Sequence, residues 1–246
     1  MDSVTLIVPY YNQPLMLAKQ LALWESYPQE ISIIVVDDGS RITAQSVIET
    51  ERRSLPFLRL FVIHDDIPWN RGGARNLGTR FVETQWLVHI DIDHTLSPDC
   101  AAALLRETVN EKFWYLFPRF RDGAADQTRR KDAIADNVTY GPVKPHGDSY
   151  LCTRALFDAV GGYDEDYSGC LGGGSPFLRQ MQKRSPVRLL STATHLRVVT
   201  RHVVADASDV SLSRDTQEYT RRRMNKEAHG NTHARNPLRF KWSRVL

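Results

Sequence analysis

The stretch that decides the fold is WLVHIDIDH, residues 86–94, in which an apolar run ends on Asp91 and Asp93. Such a run predicts a buried strand, and side chains two residues apart on a strand point to the same face. The two carboxylates are therefore expected to converge where the strand ends. Hard oxygen ligands in this position suit Mg²⁺ or Mn²⁺, so the pair predicts a divalent-cation site. An isolated Asp-x-Asp can also simply end a strand, and the surrounding sequence has to decide between these interpretations.

Two earlier apolar runs also end in polar turns. Residues 4–9 predict a buried strand with its exit turn at 10–14, and residues 31–36 predict a second strand that ends in DDGS at 37–40. Strand, helix and strand in this order build a parallel sheet, whose ligands bind at the carboxyl ends of the strands. The sequence therefore predicts an α/β fold with its site at that edge. The helix between the strands is predicted from the apolar spacing of Leu15, Leu17, Ala18, Leu21, Ala22 and Trp24.

Four motifs, taken in order along the chain, resemble those of the family-2 glycosyltransferases of the GT-A fold. They are PYYN at residues 9–12, DDGS at 37–40, WNRGGARNLG at 69–78 and DID at 91–93, and a weaker likeness continues in GGYDE at 161–165. The resemblance implies a Rossmann-like, mostly parallel central sheet flanked by helices. It also implies a metal-dependent, inverting transfer of a sugar from a nucleotide-sugar, most often a UDP-sugar, to an acceptor hydroxyl.

The resemblance assigns the donor site to the strand ends. Tyr11 is expected to lie against the base, and Asp37 and Asp38 to accept hydrogen bonds from base and ribose. Arg71 and Arg75 are expected to approach the diphosphate or to hold those two carboxylates in place. As simpler interpretations, Tyr11 is a core residue, the acidic pair closes a turn and the arginines form structural salt bridges. The expected donor-binding residues are Pro9, Tyr11, Asn12, Asp37, Asp38, Arg71, Gly72, Gly73, Arg75, Asn76 and Asp91.

The catalytic base departs from the family pattern. Many relatives carry an acidic pair where this chain has Gly173 and Gly174. An inverting displacement still requires a group that takes the proton of the acceptor hydroxyl. Asp166, then Asp164, and the intervening Glu165 are the nearest substitutes. His146 and Asp148 are the alternatives.

A third metal ligand is expected from a late histidine. The fold that the chain resembles commonly supplies one late in the catalytic domain, and His202 is preferred over His195. His94 is less favoured, because on an extended strand its ring would point away from Asp91 and Asp93. The predicted metal ligands are therefore Asp91, Asp93 and His202, with Mn²⁺ or Mg²⁺ as the ion.

Charge divides the chain unevenly. Residues 1–178 carry a net −7, whereas residues 179–246 hold 15 Lys and Arg against 5 Asp and Glu, a net +10. We expect a catalytic domain over residues 1–204, with a nucleotide half at 1–93 and an acceptor half at 94–204, and a basic extension over 205–246. The extension, with a helix predicted at 213–228, either binds nucleic acid or an anionic membrane surface, or packs Phe240 and Trp242 on the domain.

The remaining expectations concern class and partners. At 246 residues and 41% hydrophobic content the chain suits one α/β unit, and no apolar stretch reaches the roughly 20 residues that span a bilayer. With no leader evident, we expect a soluble, cytoplasmic protein. Cys100, Cys152 and Cys170 are expected to be buried thiols. Residues 119–147 are polar and predict a mobile loop facing the acceptor.

Several functions stay open on the sequence. The acceptor is a glycan, a small molecule, a protein hydroxyl or, as a minority interpretation, a hydroxymethylated base in phage-type DNA. A sugar nucleotidyltransferase is disfavoured, because no Gly-rich phosphate loop follows the first strand. The departure at residues 173–174 also allows a catalytically weakened protein that binds a nucleotide-sugar or a polyanion.

Overall fold

The computed structural model describes residues 1–67, 69–122, 140–169, 174–199, 216–228 and 238–246. Over these residues helices and strands alternate through the first half of the chain, as predicted. The strands are β1 (Val4–Tyr10), β2 (Ile31–Asp38), β3 (Leu58–Ile63), β4 (Trp86–His89), β5 (His94–Leu96), β6 (Trp114–Leu116), β7 (Arg119–Asp122), β8 (Tyr140–Val143), β9 (Tyr150–Thr153), β10 (Val187–Leu189), β11 (Leu196–Val198) and β12 (Trp242–Arg244). The helices are α1 (Pro14–Trp24), α2 (Ala44–Glu51), α3 (Arg71–Arg80), α4 (Pro98–Arg106), α5 (Arg154–Val160), α6 (Gly174–Arg184) and α7 (Thr216–Ala228).

The strands form two sheets. The larger has the order β10-β6-β9-β4-β1-β2-β3-β12, and the smaller has the order β5-β11-β7-β8. In the centre of the larger sheet β4, β1, β2 and β3 run parallel, whereas β9 is antiparallel to β4. The carboxyl ends of β1, β2 and β4 therefore meet at one edge, as the sequence predicts. The mixed sheet with flanking helices confirms the predicted fold class.

Apolar side chains cover both faces of the large sheet. Successive residues of β1 and β2 alternate between two hydrophobic clusters, so that Leu6 and Ile33 lie in one and Ile7 and Ile34 in the other. This alternation follows from the two-residue period of a strand, and the mostly apolar runs reflect burial on both faces. The strand ends are thus held by a core that leaves them little freedom to move.

The described part of the tail packs against the main sheet. β12 pairs antiparallel with β3, Phe240 is buried, and the Trp242 ring lies 6.1 Å from that of Phe61 and 5.2 Å from that of Phe81. A Cβ on Gly73 would come within 2.7 Å of Phe240 Cε1, so a larger residue there would collide with the ring. This agrees with the alternative in which the aromatic residues of the tail pack on the domain.

Two sequence expectations need correction or qualification. The stretch 119–147, expected to be a mobile loop, contains β7 and β8, which pair antiparallel in the small sheet. Strand pairing supplies hydrogen bonds that the weak sequence periodicity did not reveal. Residues 123–139, Cys170, Gly173 and His202 lie outside the described residues. Cys100 and Cys152 are buried free thiols, as expected.

Membrane-spanning helices can be considered only for the described part of the chain. No helix there combines the length and the apolar character needed to cross a bilayer.

Candidate active site

The loop after β4 carries the two aspartates and is fixed by its backbone. The strand ends at His89, and the chain then turns so that the His94 amide donates to the Asp91 carbonyl at 2.9 Å. The Val199 amide donates to the Asp93 carbonyl at 2.9 Å. The Asp91 amide donates to Ser149 Oγ at 3.3 Å. These bonds come from different elements and hold both carboxylates at the strand end.

A buried glutamine on α1 also holds this loop. Gln20 Nε2 donates to the carbonyl of Ile92 at 3.0 Å and to that of His94 at 2.9 Å, the two carbonyls on either side of Asp93. Gln20 is only 1% exposed, so water cannot readily replace its amide. The sequence analysis missed this residue, because a glutamine in a helix gives no sign of the distant loop it contacts.

Arg71 and Arg75, one turn apart at the start of α3, face two carboxylates. Arg75 Nη2 lies 2.6 Å from Asp91 Oδ1 and donates to the Asp148 carbonyl at 3.0 Å. Arg71 Nη2 lies 2.9 Å from Asp148 Oδ2, and its Nη1 lies 3.8 Å from Asp91 Oδ2. Their spacing of four residues places both side chains on one face of the helix. The result is a compact cluster of two cations and two anions at the strand ends.

Burial and neighbouring charges shift the pKa values of this cluster in opposite directions. Burial opposes ionisation of Asp91, but the guanidinium groups of Arg75 and Arg71 outweigh it and lower the pKa of Asp91. Burial also opposes the charge on Arg75, yet Tyr163, Asp91 and Asp148 raise its pKa above the ordinary value. Both groups are therefore charged at neutral pH, and each compensates the other for the loss of water.

Asp148 is the residue of this cluster to which the sequence analysis gave the least weight. It was named only as an alternative base, but its carboxylate lies between the arginines and against the first residue of α6. A Cβ on Gly174 would lie 2.9 Å from Asp148 Oδ1. A side chain at position 174 would therefore displace the carboxylate unless the backbone moved.

The expected base-binding residues surround the ends of β1 and β2. Asp37 accepts from its own loop, at Oδ1 from the Ser40 amide (2.9 Å) and at Oδ2 from the Ala44 amide (2.7 Å). Both oxygens thus close the turn, which matches the simpler interpretation of that residue. Asp38 is buried, accepts from Asn70 Nδ2 at 3.1 Å and faces the same edge. Burial raises the pKa of Asp38 to about 8.

Tyr11 and Asn12 differ in how far their side chains are accessible to a ligand. Tyr11 is half-buried and its hydroxyl donates to Asp66 Oδ1 at 3.3 Å, so part of its ring is accessible. Asn12 is buried with a positive φ of 45° and accepts from the Ile42 amide at 2.9 Å. Asn12 therefore links the loops after β1 and β2, while Pro9 is half-buried within β1.

The start of α3 packs closely against residues 163–165. A Cβ on Gly72 would lie 3.1 Å from Tyr163 Cβ, which explains the small residue. Asn76 Nδ2 donates to the Tyr163 carbonyl at 2.8 Å and to Glu165 Oε1 at 2.9 Å. Gly72 and Asn76 thus position residues 163–165, and direct contact with a donor is not needed to explain their identity.

His94 lies beside the aspartates, contrary to the expectation that its ring points away. The chain turns after Ile90, so the alternation of an extended strand no longer applies. His94 Nδ1 lies 2.6 Å from Ser149 Oγ and its Nε2 lies 3.0 Å from Arg119 Nη1. Because arginine can only donate, Nε2 is the acceptor and both ring nitrogens are engaged. His94 therefore positions the loop.

Of the other described histidines, His195 lies away from the two aspartates and His146 lies near them. His195 Nδ1 lies 3.0 Å from the Thr192 carbonyl and 3.6 Å from Cys100 Sγ, and its ring contacts Phe120. These contacts belong to a different part of the fold. His146 is more exposed, and its Nδ1 lies 3.9 Å from Asp91 Oδ2 and 3.7 Å from Asp148 Oδ2.

The acids at residues 164–166 meet cations from the tail. Asp164 is buried and pairs with Lys226, whose ammonium also lies 2.6 Å from Asp166 Oδ2. Asp166 pairs in addition with Arg239. Burial acts to raise the pKa of Asp166, but the hydrogen bonds and charges of Lys226 and Arg239 lower it overall. Burial raises the pKa of Glu165.

The acids after β4 fit a divalent cation by the chemistry of their ligand atoms. Potential ligand atoms of Asp91, Asp93 and His94 lie within 4.8 Å of one another, and so do those of Asp91, His146 and Asp148. His94 is engaged elsewhere, which leaves carboxylate oxygens and one exposed imidazole. Such ligands suit Mn²⁺ or Mg²⁺. Asp93 is half-buried at the loop.

We predict that Gln20→Met weakens Mn²⁺ binding about tenfold, a typical effect of losing a group that orients a ligand. The change keeps the side-chain volume but removes both bonds that hold Asp93. The free Mn²⁺ signal in electron paramagnetic resonance measures the affinity. Gln45→Met, on the exposed face of α2 where the amide contacts only Glu49, is the matched control. If Gln20→Met lowers only the melting temperature, Gln20 has a structural role alone.

Comparison with known proteins adds a family and several structural neighbours. The profile described as glycosyl transferase family 2 matches residues 5–169. No match was found among curated proteins. S. aureus TarS, residues 1–349, is similar at 17% identity with a TM-score of 0.59, over 80% of this chain and 60% of that one. This chain thus spans less than two thirds of TarS 1–349.

Two further solved structures have similar folds. The mannosyltransferase PcManGT from Pyrobaculum calidifontis, in complex with GDP-Man and Mn²⁺, has 15% identity and a TM-score of 0.59, over 95% of this chain and 65% of that one. GalNAc-T7 with UDP, GalNAc and Mn²⁺ has 12% identity and a TM-score of 0.60, over 82% and 44%. At these identities the likeness establishes a shared fold.

Proposed function

This chain belongs to glycosyl transferase family 2, and from that premise we propose that it transfers a sugar from a nucleotide-sugar to an acceptor hydroxyl. The observation that carries the proposal is the convergence of Asp91, Asp93, Asp148, Arg71 and Arg75 at the carboxyl ends of the central strands. Carboxylates and guanidinium groups together supply what a diphosphate leaving group requires, namely a metal site and cationic hydrogen-bond donors.

For the donor we propose a UDP-sugar. Tyr11 offers a partly accessible ring, and Asp38 lies buried at the neighbouring strand end, where an acceptor can meet the imide nitrogen of uracil. TarS was solved with UDP and GalNAc-T7 with UDP and GalNAc, which supports this choice, whereas PcManGT was solved with GDP-Man. Asp37 would support the base pocket by closing the loop after β2 and would not contact the ligand itself.

Residues Asp93 and Asp91 would hold a divalent cation, with Mn²⁺ favoured by the two manganese complexes among the neighbours. Bound there, the cation would compensate the negative charge on the departing diphosphate. Arg71 is partly exposed, and its guanidinium group lies near Asp91, so it would contact the diphosphate directly. Arg75 is buried and would keep Asp91 and Asp148 in place. We retain His202 as the proposed third ligand.

For the catalytic base we retain Asp166 as the first proposal, with Asp164 and Glu165 next. Asp166 is the most accessible of the three, since Asp164 and Glu165 are buried. The cations that lower its pKa keep it deprotonated at neutral pH, although they also make it a weaker base. His146 and Asp148 remain the alternatives.

Asp166→Asn is predicted to lower turnover by about 10² to 10⁴, with donor binding near normal, because a general base acts only on the chemical step. Steady-state rates and calorimetric binding of UDP measure the two effects. The matched variants are Asp164→Asn and Glu165→Gln. With an Asp166 carboxylate as base, its lowered pKa predicts that acidification through the range in which histidines titrate causes no loss of activity. Loss near pH 6–7 would instead indicate a histidine.

A catalytically weakened nucleotide-sugar-binding protein is the second candidate function. It is favoured by one specific observation, that Asp164 and Asp166 both pair with Lys226. Such a protein would bind UDP with Mn²⁺ but release no nucleotide from any UDP-sugar. Measuring donor turnover with and without candidate acceptors separates the two functions.

The acceptor is proposed to be a hydroxyl on a glycan or a small molecule. For duplex DNA the described tail offers less support than its net charge indicates, because several of its cations contact the domain itself. Arg222 donates to the carbonyls of Asp166 and Ser168 at 2.8 and 2.7 Å, and Lys226 and Arg239 pair with the neighbouring acids.

A further inference from the structure

Trp69 differs from the other tryptophans of the chain in lying outside the core. The chain has five tryptophans, and four of them belong to or pack against the two hydrophobic clusters, namely Trp24, Trp86, Trp114 and Trp242. Trp69 is half-buried and belongs to neither cluster of the described residues. Packing in the core therefore does not explain why a large aromatic residue stands at this position.

The backbone at Trp69 also disfavours a bulky side chain. Its φ is 52°, in the left-handed region that few bulky residues adopt. The following residue holds this conformation, because the Asn70 side chain donates to Asp38 Oδ1 at 3.1 Å and accepts from Ser168 Oγ at 2.8 Å. Asn70 is buried, so the turn is fixed between the end of β2 and the segment at 163–168. A tryptophan held in a strained backbone conformation beside a candidate site points to a function for its side chain.

Trp69 lines a cleft between the start of α3 and the segment at 163–168. Lining residues from the two sides include Trp69, Arg71 and Gly72 on one and Tyr163, Tyr167 and Ser168 on the other. The cleft encloses about 20 Å³, room for little more than one water molecule, so a ligand would lie across its opening. Tyr163 and Tyr167 are buried, whereas part of the Trp69 side chain is accessible.

The Trp69 ring lies next to the arginine proposed to contact the diphosphate. Arg71 Cζ is 5.4 Å from the centre of the ring. Arg71 pairs with Asp148 and lies near Asp91, so its position is set by the acids of the site. In a nucleotide-sugar the sugar is joined to the terminal phosphorus through a single oxygen. A sugar whose diphosphate contacts Arg71 would therefore lie within reach of the indole.

We propose that Trp69 is a platform on which the transferred sugar of the donor stacks. One face of a pyranose ring presents mainly C–H groups, and the flat apolar surface of an indole matches that face. An axial hydroxyl on the stacked face would interrupt the contact, so Trp69 would contribute to the choice among UDP-sugars. The inference rests on the proposed glycosyl transfer and deepens it, because it names a residue that recognises the sugar and not the nucleotide.

The test compares UDP with UDP-sugars, which share the nucleotide. Isothermal titration calorimetry of the full chain with Mn²⁺ measures the affinities for UDP, UDP-glucose, UDP-galactose and the two UDP-N-acetylhexosamines, in the wild type and in Trp69→Leu. The matched control is Phe113→Leu, which removes another ring that faces an arginine, since Arg188 Cζ lies 3.6 Å from the ring centre. Phe113 precedes β6, which runs parallel to β4, so it lies at the edge of the sheet opposite the site.

We expect Trp69→Leu to weaken about fivefold the binding of the UDP-sugar that the wild type binds most tightly, a typical effect of losing an aromatic contact. The affinity for UDP should stay unchanged, and Phe113→Leu should change neither affinity. An equal loss for UDP and the UDP-sugar would show that the ring holds the nucleotide, and no loss for either would show that it contacts no part of the donor. Either result would overturn the proposal.

Trp69→Gly shows whether Trp69 has a packing role instead. Glycine adopts a φ of 52° without strain, so this variant should melt at the temperature of the wild type or above it. Trp242→Leu, which removes a ring packed against Phe61 and Phe81, should melt lower. A fall for Trp69→Gly as large as that for Trp242→Leu would assign Trp69 to packing and overturn the proposal.

Release of UDP from UDP-sugars by the wild type tests the glycosyl transfer separately. Release by the wild type, together with unchanged UDP-sugar affinity in Trp69→Leu, would contradict the platform alone. Absence of release from any UDP-sugar would contradict the proposed function itself. Failure of one inference is thus distinguishable from failure of the other.

Discussion

Asp93→Asn is expected to lower sugar transfer about 10³-fold or more while the protein stays folded. The substitution keeps the shape of the side chain but removes the charge proposed to hold the divalent cation. A thousandfold loss corresponds to about 4 kcal/mol, within the range attributed to metal stabilisation of a leaving group. Transfer rates at saturating Mn²⁺ and circular dichroism measure activity and fold.

Two comparison variants show whether the loss belongs to Asp93. Asp91→Asn should weaken Mn²⁺ binding less, since Asp91 Oδ1 already pairs with Arg75. Asp2→Asn removes the same charge from an exposed position and should leave transfer unchanged. Full activity of Asp93→Asn in buffer treated with a chelator would refute the metal assignment.

Arg75→Met is expected to destabilise the protein by about 3–5 kcal/mol. Arg75 is 1% exposed and lies between Asp91 and Asp148, so its removal leaves two carboxylates near each other in a poorly hydrated position. Urea unfolding measures the change. Arg59→Met is the matched control, because Arg59 pairs with Glu83 at the surface and such pairs contribute about 0–1 kcal/mol.

A second substitution tests whether charge alone is sufficient at this position. Arg75→Lys keeps the positive charge but cannot reach Asp91 and the Asp148 carbonyl with the same planar group. It should recover only part of the lost stability. If Arg75→Met loses no more stability than Arg59→Met, the cluster does not depend on this arginine.

The central architecture was predictable because its signal is local. The mostly apolar runs in β1, β2 and β4 indicate burial on both faces of the sheet, and the polar residues that follow them mark the strand ends. The positions of Asp91, Asp93, Arg71 and Arg75 follow from that arrangement. The pairing of the two arginines with Asp91 and Asp148 could not be anticipated, because Asp148 comes from a distant part of the chain.

The missed features depend on contacts between distant parts of the chain. Gln20 lies 72 residues from Ile92, whose carbonyl it binds. β12 consists of three residues with no periodic signal and forms only because β3 offers an edge. His94 was misplaced because a backbone turn ends the strand alternation. No pattern within a short window of sequence encodes these contacts.

The tail shows a similar limit of composition. The net +10 of residues 179–246 predicts an exposed basic surface, yet Lys226 and Arg239 pair with Asp164 and Asp166, and Phe240 is buried. Charge counted along the sequence does not reveal which cations meet acids after folding.

Release of UDP from UDP-sugars, followed by mass spectrometry with and without Mn²⁺, tests the proposed function most directly. UDP-glucose, UDP-galactose and the two UDP-N-acetylhexosamines would be screened against glycan, small-molecule and modified-DNA acceptors. We predict that at least one donor releases UDP in the presence of Mn²⁺, that a chelator abolishes the release, and that Asp93→Asn does the same. Release that is equal with Mn²⁺ and with chelator, or no release from any donor with any acceptor, would contradict a metal-dependent UDP-sugar transferase.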